Sequence, residues 1–191
     1  KQQPHLSSVL TLSVIWLAVT FAAGFPFRNI LLTLVALGVS VGLLVSVGAL
    51  GLRGYQESRI KAMTQKDVKD SNYQQHQAAM AYGVGGLFGT GYLKGEQKQH
   101  VPEQHNDFIF SVIGEEGGLV ACSLVLAALA FLFFRIWLIM AQGVQPFTRM
   151  AAAGVLAVLG FHTFVNLGMN LEILPVSGLW LPFLSYGGTA M

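Results

Sequence analysis

Four apolar stretches run through the chain, at about residues 6–24, 30–52, 108–139 and 150–171, with a polar run from Arg53 to Asn106 between the second and third. Each approaches or exceeds the ~20 residues a helix needs to cross ~30 Å of hydrocarbon. The third is longer than one crossing requires, so a tilt or an interfacial turn is expected within it. Gly24-Phe-Pro-Phe-Arg28-Asn29 separates the first two stretches and makes them an antiparallel hairpin, and Gln142-Gly-Val-Gln-Pro146 is a second short connection. Residues 174–188 carry two prolines and three glycines, which rule out one straight helix, while Trp180 and Tyr186 suit the headgroup level. This last segment is expected to be re-entrant or interfacial. The pattern predicts an all-α, polytopic transmembrane helical bundle, with residues 1–191 forming one membrane domain.

Within the polar run, Tyr55 to Lys69 places Ile60, Met63 and Val68 at helical spacing and reads as an amphipathic helix on the membrane surface. Tyr73 to Tyr82 is a second helical stretch that stops at the glycines beginning with Gly83. Composition agrees with a membrane setting: 53% of residues are hydrophobic and 10% charged, against roughly 25% charged in soluble domains. A net charge of +2 with no basic stretch interleaved with aromatics excludes nucleic acid as a partner. The single cysteine, Cys122, sits in an apolar stretch and reads as a small packed residue. The chain opens on Lys1 and closes on Met191 without a polar tail, and a portion of a larger polytopic protein is expected.

Candidate chemistry concentrates at the head of the third stretch. Glu103, Asp107, Glu115 and Glu116 stand where an apolar segment begins, and a carboxylate against hydrocarbon costs free energy unless it has a partner or a task. Local physics offers a plain alternative, in which Glu103 caps a helix and Asp107 favours the dipole of the helix starting near Phe108. Glu115 lies eight residues beyond Asp107, about 12 Å deeper on a continuous helix. That is too far for a direct acid–base pair, so Glu115 and Glu116 are expected to orient a partner, pair with a cation or line a cavity floor. On the fourth stretch His162, Asn166 and Asn170 recur every four residues and share a face. They form either a polar seam between helices or the wall of a hydrated cavity. The glycines at 83, 85, 86, 89, 91 and 95 match neither G-x-G-x-x-G nor a Walker loop. They read as a flexible or re-entrant element, or as amides approaching a phosphate. Gly38 and Gly42 read as a close helix-packing pair. His76, His100 and His105 match no metal spacing.

Four motifs in order carry a family resemblance: Gly85-Gly-Leu-Phe-Gly-Thr-Gly-Tyr-Leu-Lys-Gly95, Pro102-Glu-Gln-His-Asn-Asp-Phe-Ile-Phe110 with Gly114-Glu-Glu, Leu174-Pro-Val-Ser-Gly, and Leu181-Pro-Phe-Leu-Ser-Tyr-Gly-Gly-Thr189. They resemble the SEDS family (shape, elongation, division and sporulation), the RodA/FtsW-like proteins, over essentially the whole chain. The resemblance implies the C-terminal portion of an about ten-span protein in the bacterial cytoplasmic membrane, with the loop 53–107 outside the cytoplasm. It implies an inverting peptidoglycan glycosyltransferase that polymerises lipid II for elongation or division and works with a class B penicillin-binding protein transpeptidase. The family's essential aspartate falls on Asp107 and its loop glutamate on Glu103. Gly91-Tyr-Leu-Lys-Gly-Glu-Gln and Asn166-Leu-Gly-Met-Asn incline to the elongation branch.

The chemistry of that reaction suits these residue types. A sugar hydroxyl needs a general base, for which Asp107 is the candidate, and a departing pyrophosphate needs positive charge. Arg59, Lys61, Lys94 and Lys98, with His105, are candidate substrate-binding residues, and a divalent cation, Mg or Mn, is a further candidate. No metal site is read from ligand spacing. The rival readings are a flippase or transporter of the lipid-linked precursor and a noncatalytic scaffold. The short connections carry Arg28, Arg135 and Arg149 with no acid, although charge alone leaves the orientation open. Cysteines placed at Gln65 and Gln97 in a Cys122→Ser background are expected to react with an impermeant thiol reagent in intact spheroplasts. Labelling only after lysis would place the loop inside.

Overall fold

The computed structural model describes residues 6–46, 68–96, 106–174 and 176–186. Among them every regular element is an α-helix: α1 (Leu6–Ala22), α2 (Phe27–Ser46), α3 (Val68–Gly85), α4 (Ile109–Gln142) and α5 (Pro146–Asn170). α4 and α5 are long and apolar enough to cross a membrane, and α1 and α2 are apolar helices of 17 and 20 residues. Leu124, Phe131, Phe134 and Trp137 stand exposed on α4, an arrangement that hydrocarbon solvates and water does not. α5 is the central element, packed along α1 on one side and α4 on the other, and α3 lies along α4.

The helix ends follow from local sequence. α1 stops in a Schellman motif: Gly24 takes the left-handed position at φ +83°, Phe25 N–H donates to the Thr20 carbonyl at 3.3 Å, and Gly24 N–H to Phe21 at 3.0 Å. α2 begins at Phe27, just after Pro26, and α5 at Pro146, where the missing N–H costs nothing. Both therefore start earlier than the apolar pattern alone places them. α5 closes in the same motif with a residue less suited to it. Glu172 occupies the left-handed position at φ 59°, and Ile173 N–H donates to Gly168 at 2.9 Å. Gly38, read from sequence as a packing glycine, faces open space among the described residues.

The long third stretch is broken rather than tilted throughout. Gly118 has φ 63° and ψ −164° inside α4, a region essentially closed to other residues. A break at this depth leaves backbone groups without helical partners, which is untenable beside lipid unless other protein groups meet them. The glycine-rich connection after α3 does so. Leu119 N–H donates to the Gly86 carbonyl (2.9 Å) and Val120 N–H to Leu87 (3.2 Å), while the Glu115 and Glu116 carbonyls accept from Thr90 N–H (2.9 Å) and Gly91 N–H (3.0 Å). This exchange requires backbones in contact. A Cβ on Gly85 would overlap the Gly114 carbonyl, one on Gly89 the Glu116 carbonyl, and one on Gly118 the backbone of Leu87 and Gly89. The glycines therefore serve close approach, and the Thr90 and Gly91 amides are occupied rather than turned toward a phosphate.

Gly118→Ala is expected to cost about 1–3 kcal/mol from the backbone conformation alone, with the overlap added to it. Gly160→Ala is the control, because nothing lies within 4 Å of its added methyl, and alanine in a helix interior gains about 0.5–1 kcal/mol. Thermal unfolding in detergent compares them. Equal midpoints would mean that the break is not needed.

Candidate active site

The site forms where the start of α4, the end of α5 and the irregular segments 171–174 and 176–186 meet. Phe108 occupies the N-cap position of α4, and no side-chain hydrogen bond is made from it. The first turn closes instead through Ser111, whose N–H and hydroxyl both donate to the Phe108 carbonyl, at 3.0 and 2.7 Å. The carbonyls of Asn106 and Asp107 are left outside the helix, and side chains from elsewhere hold them. Ser185 donates its hydroxyl to the Asn106 carbonyl (2.7 Å) and accepts Leu181 N–H (2.8 Å). The Asp107 carbonyl accepts the Nδ2 groups of Asn166 (2.9 Å) and Asn170 (3.0 Å). Asn166 also reaches the Leu179 carbonyl at 2.7 Å, tying segment 176–186 to the same point.

Both asparagines are fully buried, as are Phe108 and Leu181 around them. Amides in such surroundings must be hydrogen-bonded, because an unmet buried polar group costs about 1–3 kcal/mol. Asp107 itself is half-buried, and its Oδ2 lies beside Gly178, where an added Cβ would come to 3.8 Å. The third residue of the α5 row serves another contact. His162 meets Trp180 edge-on, with centroids 4.7 Å apart, and its Nε2 lies 3.5 Å from Thr11 Oγ1 on α1.

The remaining candidates divide. Glu115 is fully buried at the helix break, with its carboxylate against Gly95, and its carbonyl also accepts the Thr90 hydroxyl at 3.1 Å. Glu116 is half-buried beside it, and Lys94 is exposed on the same connection. Asp107, Asn166 and Asn170 are brought together by direct hydrogen bonds, whereas Glu115 and Glu116 belong to the break in α4. Glu103, His105, Arg59, Lys61 and Lys98 lie outside the described residues, as does most of the expected helix from Tyr55 to Lys69.

Three contributors went unread in the sequence. Ser185 was visible only as part of a motif. Gln75 donates to the Met169 carbonyl (2.9 Å) and the Leu174 carbonyl (2.7 Å), and the Tyr82 hydroxyl donates to Asn170 Oδ1 (3.3 Å). Gln75, Ala78 and Tyr82 follow at spacings of three and four, one face of α3, and the buried Ala78 lets that face approach Phe108. That spacing was the available signal. Burial pushes the Tyr82 phenol well above its ordinary value, so it stays protonated and can donate.

A helical bundle with membrane-length helices, which uses buried side-chain amides to fix an aspartate at the mouth of one of them, has the form of a membrane-interface site. The chain belongs to the FtsW/RodA/SpoVE family of cell cycle proteins, whose family model matches residues 2–191. It is 38% identical over 192 residues to a probable peptidoglycan glycosyltransferase FtsW of Mycobacterium tuberculosis, covering 98% of this chain and 36% of the relative. It is 36% identical over 193 residues to the peptidoglycan glycosyltransferase MrdB of Escherichia coli, covering 99% and 51%. A solved structure of a peptidoglycan synthase complex, described as coordinating polymerization and crosslinking, matches with a TM-score of 0.69 at 28% identity, over 99% of this chain and 52% of that one. The chain thus spans between about a third and a half of the length of these relatives.

Ser185→Ala removes the acceptor for Leu181 N–H and the donor for the Asn106 carbonyl together. It is expected to destabilise the protein by about 1–3 kcal/mol, read as a lower unfolding midpoint. An unchanged midpoint would show that these groups find other partners.

Proposed function

We propose that the full-length protein is a peptidoglycan glycosyltransferase that polymerises lipid II, with Asp107 as general base. One observation carries this reading: the backbone of Asp107 is fixed by the Asn166 and Asn170 amides at the head of a membrane-length helix. A general base acts only when its oxygen comes within about 3 Å of the proton it removes, and fixed placement is what a mobile loop carboxylate lacks. The names of the relatives, peptidoglycan glycosyltransferases in both cases, support the reaction class.

In the reaction, an Asp107 oxygen takes the proton of the acceptor sugar hydroxyl as that oxygen attacks the anomeric carbon of the donor. The bond from this carbon to the pyrophosphate breaks, the electron pair leaves with the phosphate, and configuration inverts. Basic side chains stabilise the negative charge on the leaving group. Lys94, exposed beside the break in α4, is one candidate, with Arg59, Lys61, Lys98 and His105 as the others. Glu103 is assigned a positioning role. A divalent cation, Mg or Mn, is the further candidate for stabilising the leaving-group charge. The pairing of polymerization with crosslinking in the solved synthase complex supports a class B penicillin-binding protein as the proposed crosslinking partner, and the family resemblance supports the extracytoplasmic side of the bacterial inner membrane for the loop 53–107.

Asp107→Asn in the full-length protein keeps size and an acceptor oxygen but loses the base, and strand synthesis from labelled lipid II should fall by about 10²–10⁴-fold. Lipid II binding, measured in parallel, should persist. Detergent separates polymerisation from transport, because no membrane remains to be crossed. Near wild-type strand synthesis by Asp107→Asn would move the base elsewhere, with Glu103 first in line.

A further inference from the structure

We infer that Tyr82, Asn170 and Asn166 form a buried relay of positioning residues that sets the place of Asp107 from the polar helix α3. The inference rests on Asp107 being the base. None of the three side chains is assigned to touch substrate; each acts on the backbone that carries the carboxylate.

The direction of every hydrogen bond in the relay is determined. A carbonyl oxygen can only accept, so both asparagines must turn Nδ2 toward Asp107. Asn170 Nδ2 also reaches the Asn166 carbonyl at 2.9 Å and Asn166 Oδ1 at 3.2 Å, which fixes the two amides relative to each other. Asn170 Oδ1 is then left facing Tyr82 and must accept, and the protonated phenol supplies the donor. The Tyr82 ring is held independently of its hydroxyl. It packs on Phe110 with centroids 6.0 Å apart, and a Cβ on Gly114 would run into it. Removing the hydroxyl alone should therefore leave the ring in place while freeing the Asn170 amide to turn.

The Asp107 carbonyl also explains why two amides are present. Asp107 lies just before the N-cap of α4, and Ser111 N–H goes to Phe108. The Asp107 carbonyl accepts two amides from α5, and two donors constrain the peptide plane more tightly than one. Rotation of that plane swings the side chain on the same Cα, and misplacement of a reacting group by about 1 Å can cost 10²-fold in rate.

The test is steady-state polymerisation by the full-length protein with three variants, Tyr82→Phe, Asn170→Ala and Asp107→Asn. Tyr82→Phe should lower kcat several-fold per folded molecule with KM for lipid II unchanged, and it should also lower the unfolding midpoint, because the buried Asn170 Oδ1 loses its donor. Asn170→Ala should lower kcat by about 10–10²-fold per folded molecule, and adding Tyr82→Phe to it should cost nothing further, since the relay is already cut. Wild-type kcat in Tyr82→Phe, or losses that multiply in the double variant, would overturn the relay. So would an Asn170→Ala protein that is merely scarcer, with normal turnover per folded molecule. If Asp107→Asn is itself fully active, the base assignment has failed instead, a result distinguishable from an inactive Asp107→Asn beside an unaffected Tyr82→Phe.

Discussion

Two consecutive carbonyls, those of Asn106 and Asp107, stand just outside α4, and the site depends on how they are met. Helix formation would have used them, and water would have met them at an open surface. Here a serine from segment 176–186 takes the first and two asparagines from α5 take the second. The constraint is mutual. Asn166 and Asn170 are fully buried and need acceptors, Asp107 needs donors, and Leu179 and Leu181 are drawn to the same point through Asn166 and Ser185. Elements far apart in sequence are thereby fixed around one aspartate. Apolar contact among Phe110, Leu181 and Cys122 encloses the cluster, but apolar packing is non-directional and could not by itself orient a peptide plane.

The break at Gly118 applies the same rule on a larger scale. A helix interrupted beside lipid needs substitute partners, and the connection after α3 supplies two donors and two acceptors in register with it. This seats the polar helix α3 against α4, where Gln75 and Tyr82 reach the end of α5. The glycine-rich connection and the asparagine row, far apart in the sequence, therefore act on one site from opposite sides. Glu115 lies fully buried at the break with its carboxylate against Gly95, which makes it part of that junction.

Much of this could be read in the sequence, and what could not has physical causes. Apolar runs and helix breakers located α1, α2, α4 and α5 because lipid imposes a length and a composition that sequence records directly. The carboxylate-rich motif marked Asp107, and the four-residue spacing of His162, Asn166 and Asn170 marked a shared face. Their division of labour was not visible, since a seam and a wall have the same periodicity and only the position of the Asp107 carbonyl separates them. The length of the third stretch announced a turn or a tilt but not its place: Gly117 and Gly118 in an apolar run look like packing residues until the glycines after α3 are found opposite them. Tyr82 and Gln75 lie on a helix of mixed polarity, so nothing in their own neighbourhood announces that they reach across to α5.

The central claim is that a fixed aspartate meets the acceptor hydroxyl at the membrane boundary. An experimental structure of the full-length protein with a lipid II analogue bound tests it most directly. The account predicts an acceptor sugar hydroxyl within about 3 Å of an Asp107 carboxylate oxygen, with the Asn166 and Asn170 amides still on the Asp107 carbonyl. An acceptor seated away from Asp107, or an Asp107 released from both asparagines when substrate is bound, would contradict it.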